Sequence, residues 1–382
     1  MRKGQVLLCS LLIVSCSLLP GLEFGLLLDQ NVDYSRIGDD TFFNYMGILI
    51  PQATWLFGET GELFVSAGLN YQNDPWGFVP ELLEARVFWR SRITDFTFGR
   101  MAYDDPLGYV ASGLFDGGQV SFDTEAGTFS AGAWYTGLLY KRRASIEMTE
   151  TEFANNNLPL DYNDFFNTYF APRRLLWALD WGHMGLGERV LTRFSLLGQF
   201  DLTDEDLHSQ YLVGKMIIPA GAFGFNLGGC FQLIQQGGEM YRAFSAEAGA
   251  AWTGSFHGLS LLGRYSSGYG DTLNAFVPFT AQTHGYVLQP GFSGLSIFSL
   301  DYTARLHRTF SLGLSTSYFM LTSSGLDDRR LGGEIFGGLY WSPVSDISIN
   351  LGGGAFLPSL GNVAPDDDVY WRVELNAVIS FF

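Results

Sequence analysis

The chain has 382 residues, a formal net charge of −17, and 47% hydrophobic and 16% aromatic residues. Past Ser17 the lysines are Lys141 and Lys215 alone, so no basic stripe exists to hold nucleic acid. Past the same point no apolar run reaches the length of a spanning helix, and Cys230 is the sole cysteine. Transmembrane helices, an internal disulfide and a cysteine metal cluster are therefore excluded.

Met1–Ser17 reads as a secretion leader. Arg2 and Lys3 supply the positive start, Val6–Val14 the short apolar run, and Ser15-Cys16-Ser17 the small residues. Two processing patterns compete. Ser15-x-Ser17 suits ordinary cleavage, whereas Leu12-Ile13-Val14-Ser15-Cys16 resembles a lipobox that would leave a lipidated Cys16. The strand-like Leu22–Val32 follows almost at once, without the flexible tether usual in lipoproteins. No linker or shift in composition marks a boundary after the leader, so 18–382 is expected to form one domain.

From Leu22 onward, strand patterns recur and helical periodicity is nearly absent. The expected strands are 22–32, 42–57, 62–72, 82–92, 95–103, 117–123, 128–142, 172–183, 189–201, 206–218, 222–234, 241–253, 257–267, 292–304, 308–321, 330–341, 345–356 and 369–382. That makes about eighteen strands, an even number as bacterial membrane barrels require, with sixteen the alternative. The connections segregate. Every second one is a tight turn rich in Gly, Pro, Ser and Thr: GETG, SRI, TEAG, GLGE, IPAG, TGSF, LHR and SPV. The other set contains the long ones, 73–81, 104–116, 143–171, 268–291 and 357–368. A barrel with short turns at one end and long loops at the other predicts this, and a β-sandwich does not.

Several strands alternate cleanly. In 222–234, Phe223, Phe225, Leu227, Phe231 and Leu233 oppose Gly224, Asn226, Gly228, Cys230 and Gln232. In 345–356, Ile347, Ile349, Leu351 and Ala355 oppose Ser348, Asn350, Gly352 and Gly354. Phe96 and Phe98 share parity with Arg100, which suggests a bulge near Gly99. The strand 206–218 resists assignment, because His208 and Gln210 fall on the face opposite Lys215. The loop 143–171 has no strand pattern and should lie at the outer end, mobile or folded over the mouth. The last strand puts Trp371, Val373, Leu375, Ala377, Ile379 and Phe381 on one face and Arg372, Glu374, Asn376 and Ser380 on the other. Such an ending suits a strand that closes a barrel against the first and shows lipid an apolar face. It is also the expected point of engagement for the barrel-assembly machinery. The fold class is thus all-β, a transmembrane antiparallel barrel, with outer-membrane lipid around it.

Signatures of chemistry are missing. The histidines at 183, 208, 257, 284 and 307 are scattered, and there is no HExxH, GxSxG or Walker motif. No catalytic residue and no cofactor are expected. The informative residues are charges at inward strand positions: Glu84, Arg86 and Arg90; Arg174 and Asp180; Arg189 and Arg193, with the neutral Gln199 on the same face; and Glu247, Arg264, Glu334, Arg372 and Glu374. Facing lipid at the midplane, an Arg would cost about 2–4 kcal/mol, so these residues should line the lumen. About eighteen strands enclose more space than side chains fill, so a channel or a loop plug is needed. Arg86 and Arg90, with Glu84 beside them, are expected to leave a local positive excess at the constriction, with 104–116 folded against them. The acids Asp39-Asp40, Asp104-Asp105, Glu147, Glu150, Glu152, Asp161, Asp164, Asp204-Glu205-Asp206, Asp327-Asp328 and Asp366-Asp367-Asp368 make an acidic, solvated outer rim.

Three stretches resemble alginate-export-type outer-membrane channels, and more loosely the wider group of monomeric substrate-specific porins. They are FGRMAYDDPLGYVASGLFDGG at 98–118, LGGEIFGGLYW at 331–341 and LGGGAFLP at 351–358. The resemblance implies a monomeric eighteen-stranded channel for a sugar-like or other small polar solute, with Arg100, Asp116 and Glu334 in its lumen. The acidic rim and mixed lumen depart from what an anionic polymer requires, so the expected solute is neutral or mildly anionic. Two other classes compete with a porin: a surface adhesive barrel that binds partners through its outer loops, and a barrel enzyme at the rim.

Overall fold

The computed structural model describes residues 21–73, 76–186, 189–203, 205–270, 272–363 and 368–381. The leader, Cys16, Asp204, Asp366 and Asp367 lie outside the described residues. In chain order the strands are β1 (Leu22–Ile37), β2 (Asp40–Phe57), β3 (Gly61–Asn73), β4 (Trp76–Arg90), β5 (Thr94–Asp104), β6 (Ser112–Thr124), β7 (Gly127–Tyr135), β8 (Arg174–Leu186) and β9 (Val190–Asp201). There follow β10 (Leu207–Ala220), β11 (Phe223–Gln236), β12 (Glu239–Thr253), β13 (His257–Ser266), β14 (Leu295–His307), β15 (Phe310–Leu321), β16 (Arg330–Val344), β17 (Ile347–Leu357) and β18 (Tyr370–Phe381). Each pairs antiparallel with the next, and β1 pairs with both β2 and β18, so one 18-stranded sheet closes on itself. The closing register runs from Leu26↔Phe381 to Arg36↔Trp371.

Alternation decides what each face meets. Val65, Trp89, Phe98, Leu179, Phe225, Leu261, Phe298 and Val373 all stand exposed on the outside. A soluble protein does not present such a continuous apolar belt, and a lipid-facing barrel must. Aromatic pairs mark its lower edge beside the tight turns: Trp55 with Phe57, Trp89 stacked on Phe96, Trp181 stacked on Phe194, and Phe310 stacked on Trp341. At the other end Tyr34 meets Trp371, and Tyr71 meets both Tyr45 and Phe78. Rings of amphipathic aromatics at both edges are where the membrane interfaces place them.

The long connections fall at one end, as the loop parity requires. Three expectations need correction. First, 73–81 is not a long loop, because β3 and β4 continue to an Asn73↔Trp76 register. Pro80 lies within this stretch and belongs to β4. It pairs with Leu69 on one side, while the ladder from β4 to β5 ends lower, at Ala85↔Arg100. A free strand edge tolerates a residue with no N–H to give. Second, the bulge is not at Gly99, through which both neighbouring registers run unshifted. Gly99 instead takes φ +112, and a Cβ there would lie 2.0 Å from the Ala85 carbonyl oxygen, so only glycine fits. The bulge is in β4 at Leu83, between Ser66↔Glu84 and Ala67↔Leu82. It switches parity, so Val79 and Glu81 share the inward face with Glu84, Arg86 and Arg90. Third, the strand expected over 128–142 stops at Tyr135. The face of β10 that the sequence left open resolves with Leu207, Ser209, Tyr211 and Val213 buried on the inside.

Closure gives a direct test. Cysteines replacing Leu28 and Ile379, which are in register, should form a disulfide on oxidation in the folded barrel. Cysteines at Leu28 and Leu375, about 13 Å out of register along the strand, should not. Mobility on a gel with and without reductant separates the two outcomes.

Candidate permeation path

Half of the lumen is filled from within. Between β5 and β6 the ladder continues to Asp104↔Ser112, but β4 lets go at Arg100 and β7 lets go at Asp116. The top of this hairpin therefore belongs to neither neighbour and turns into the barrel. Its tip reaches the far wall. Tyr103 donates to Asp180 on β8 at 3.0 Å, Leu107 lies over Gly228 on β11, and the Tyr109 hydroxyl meets Ser245 on β12 at 3.3 Å. The Asp105 carboxylate accepts from the backbone N–H of Leu107, Gly108, Val110 and Ala111 at 2.7–3.1 Å and shapes the tip. Burial pushes this carboxyl up, against those four donors, which favour its charged form.

Arg100 and Asp116 sit at the hinge. Their two parallel hydrogen bonds are each 2.8 Å, and Arg100 also caps the Leu82 and Leu138 carbonyls at 2.6 and 3.0 Å. Arg100 is 6% exposed, so this pair closes the gap the departing hairpin leaves in the wall rather than lining an open lumen. The gap is further covered by Tyr169, whose hydroxyl caps the Pro80 carbonyl at 2.8 Å.

The segment 267–294 packs over the hairpin. Phe276, Phe279 and Phe292 are buried, and Phe279 N–H donates to the Val110 carbonyl at 2.7 Å. Gln232 holds Val277 by both its N–H and its carbonyl, each at 2.9 Å. The far end of the segment is tied by Glu334, which accepts from Tyr286, Val287 and Leu288 N–H at 2.8, 3.1 and 3.4 Å. Glu334, expected in the pore, is thus a buried loop anchor. His284 meets Arg264 at 3.3 Å and packs edge-on against Phe292. Burial first, and the Arg264 charge second, lower its pKa from 6.5 to about 4. Arg264 also lies over the Tyr109 ring and, with Lys215, pairs with Glu247.

The loop 136–173 folds over the mouth in three short helices, α1 (Lys141–Ala144), α2 (Glu150–Asn157) and α3 (Phe165–Tyr169). Thr149 and Glu152 form a capping box at the start of α2. Glu152 then reaches Arg174 at 2.8 Å. Arg174 is fully buried and also bonds Asp201, Gln199 and the Leu207 carbonyl. It was expected in the pore and instead fastens this loop to the wall. Asp180 likewise is occupied, by Tyr103 and Ser195. Arg193 is exposed and reaches the Asp104 carbonyl at 3.5 Å.

The other half of the lumen stays open along β1–β3 and β18. A cavity of about 510 Å³ lies there, lined by Asn31, Asp33, Asn44, Gln72, Arg372 and the loop residue Gln289 among others. One row below, Asn31, Asn376, Asn350 and Tyr340 are successive register partners around the wall. Asn376 donates to Asp29 at 2.7 Å, and the Asn350 Oδ1 is buried with no partner. Arg372 spends its donors on Asp33, on Glu374 at 3.4 Å and on the Tyr286 carbonyl at 2.9 Å. Arg86 lies between Glu62 at 3.0 Å and Glu84 at 3.3 Å, and Arg90 forms two bonds of 2.9 Å to Asp95. The expected positive excess at Arg86 and Arg90 is therefore absent, and the hairpin folds to the opposite wall rather than against them. Asp29, Asn31 and Asp33 escaped the reading of the sequence, although they alternate with Leu28, Val32 and Tyr34 in a way that places them inside.

Closed, belted with apolar side chains and narrowed by its own loops, the chain has the architecture of an outer-membrane porin. Solved structures of that class share it: Pseudomonas aeruginosa OccK2 (OpdF) in complex with glucuronate (TM-score 0.65, 14% identity, 95% of this chain and 98% of that one), P. aeruginosa OpdK with vanillate (0.67, 11%, 95% and 99%), and a BenF-like porin from Pseudomonas fluorescens Pf-5 (0.66, 10%, 95% and 100%). No family model and no curated protein matches the chain.

Two outcomes follow from the loop anchors. Glu334→Ala leaves three N–H groups unmet, at a cost of about 1–3 kcal/mol for each that stays buried. It should loosen 284–288 and raise single-channel conductance while the barrel stays heat-modifiable on a gel. His284 is held neutral, so its contribution to loop stability is fully present above pH 6.5 and is lost as pH falls toward its folded value of about 4. Conductance recorded from pH 7 down to pH 4 should become larger or noisier, and His284→Phe should remove that dependence.

Proposed function

We propose that this protein is a passive channel of the outer membrane of a diderm bacterium, for small polar solutes, sugar-like or mildly anionic ones included. The observation that carries the reading is the half-filled lumen. One wall is packed by the β5–β6 hairpin and segment 267–294, and the other keeps an amide-rich cavity of about 510 Å³. A barrel built only to present loops has no need of a polar corridor beside a packed plug. Relatives in fold whose structures hold glucuronate and vanillate support a solute of that size. The stretches 98–118, 331–341 and 351–358 support the finer reading of an alginate-export-like member, and they build the hairpin, the Glu334 anchor and the glycine-rich wall of β17. The protein acts as a monomer, carries no catalytic site, and is inserted by the barrel-assembly machinery through β18 after removal of residues 1–17.

A second reading has one observation in its favour. Phe153, Leu158, Tyr162 and Phe166 stand exposed on the loop over the mouth, Phe166 at 79%, as a surface for binding a partner would. Planar-bilayer recording of the refolded protein decides. Stepwise conductance in KCl is expected, and a folded barrel without steps would leave the adhesive reading standing in its place.

A further inference from the structure

Arg372, the arginine that lines the open corridor, has no free fork, and Arg86 on β4 is held by two carboxylates, whereas Arg142 above Gln72 meets neutral acceptors alone. Recognition of a carboxylate by Arg relies on two parallel N–H donors meeting two oxygens. On Arg372, Nε is held by Asp33, Nη2 by Glu374 and Nη1 by the Tyr286 carbonyl. On Arg86, Nε is held by Glu84 and Nη2 by Glu62. Each of these two cations thus faces two carboxylates, and Asp29 adds a further negative group two rows below Asp33 on β1. Glycine stands beside Glu374 and Arg372 in register, at Gly352 and Gly354 on β17, and the Phe336 ring lies over both glycines and brings no charge. The rest of the lining is neutral: the amides Asn31, Asn44, Gln72, Asn73 and Gln289 can both donate and accept, and Phe42 with Ile37, Met46 and Val287 gives apolar faces. Amides beside a ring suit hydroxyl-rich rings, whose edges exchange hydrogen bonds and whose C–H faces are apolar.

Resting on the channel reading above, we propose that the corridor prefers neutral polyhydroxylated solutes and those carrying an ammonium group over carboxylates of the same size. The surplus of carboxylates over free cations sets the local potential, which draws cations and repels anions. Hydrogen bonding to the amide row then holds a sugar ring without any demand on the arginines. The preference would set this protein apart from its relatives in fold whose structures hold glucuronate and vanillate.

Glucose, glucosamine and glucuronate keep one ring and change only its charge. Added in turn to the refolded protein in a planar bilayer at low salt, glucose and glucosamine should give blockades at least about fivefold more frequent than glucuronate. In a KCl gradient the reversal potential should show K⁺ preferred over Cl⁻. Asp33→Asn should move that potential toward Cl⁻ and raise the glucuronate blockades, and Glu374→Gln should do the same if the first variant folds poorly. Glucuronate blocking more often than glucose, Cl⁻ preferred in the unaltered protein, or no movement in either variant would each overturn the proposal while the channel reading stands. A folded barrel with no conductance would bring down the channel reading, and this preference with it.

Discussion

Lipid offers no partner for a backbone N–H or carbonyl, and everything else in this protein follows from that constraint. A sheet in hydrocarbon must have no edge. The chain meets the demand by pairing its first strand with its last over eleven register pairs, Leu26↔Phe381 to Arg36↔Trp371. The pairing also explains why the C-terminal residues alternate so strictly and why the outer belt is apolar. Where one edge does open, above Ala85 on β4, the exposed carbonyls are capped by side chains: Leu82 by Arg100 and Pro80 by Tyr169. Pro80 itself sits where an N–H would have had no ladder partner.

Closure creates a second problem. A ring of this many strands encloses more volume than its inward side chains fill. The chain fills the excess asymmetrically. The β5–β6 hairpin leaves the wall at the Arg100–Asp116 hinge and packs Tyr103, Leu107 and Tyr109 against β8, β11 and β12. Segment 267–294 covers it with Phe276, Phe279 and Phe292. The interior therefore has one dry half, held by aromatic packing and by buried polar clamps at Asp105, Arg174 and Glu334, and one wet half lined by amides.

Charge is distributed by the same logic. A buried ion is tolerated only with partners, and the cations of the dry half are tied down: Arg174 by Glu152 and Asp201, Lys215 and Arg264 by Glu247. Strand parity predicts inward-facing charge as pore lining. In this protein much of it is fastening. Arg100, Asp116, Arg174, Asp180 and Glu334 hold loops and hinge, whereas Arg86, Arg372 and Glu374 border the corridor and Arg90 stands nearer the tight turns.

The amino-acid pattern alone determined the architecture. Period-two alternation, turn chemistry and the segregation of loop lengths are local properties, and lipid imposes the same rule on every strand, so eighteen strands and their closure were legible. The inward parity of Glu84, Arg86 and Arg90 was legible too, because a charge cannot face hydrocarbon. Parity does not say what a side chain meets across the lumen. That Arg372 would meet Asp33, that Glu334 would hold Tyr286–Leu288, and that loop residues far along the chain would bury Arg174 depended on where the inward-folded segments came to rest. Those segments carry no periodicity, their partners lie many strands away, and only the tertiary structure decided which half of the barrel they would fill.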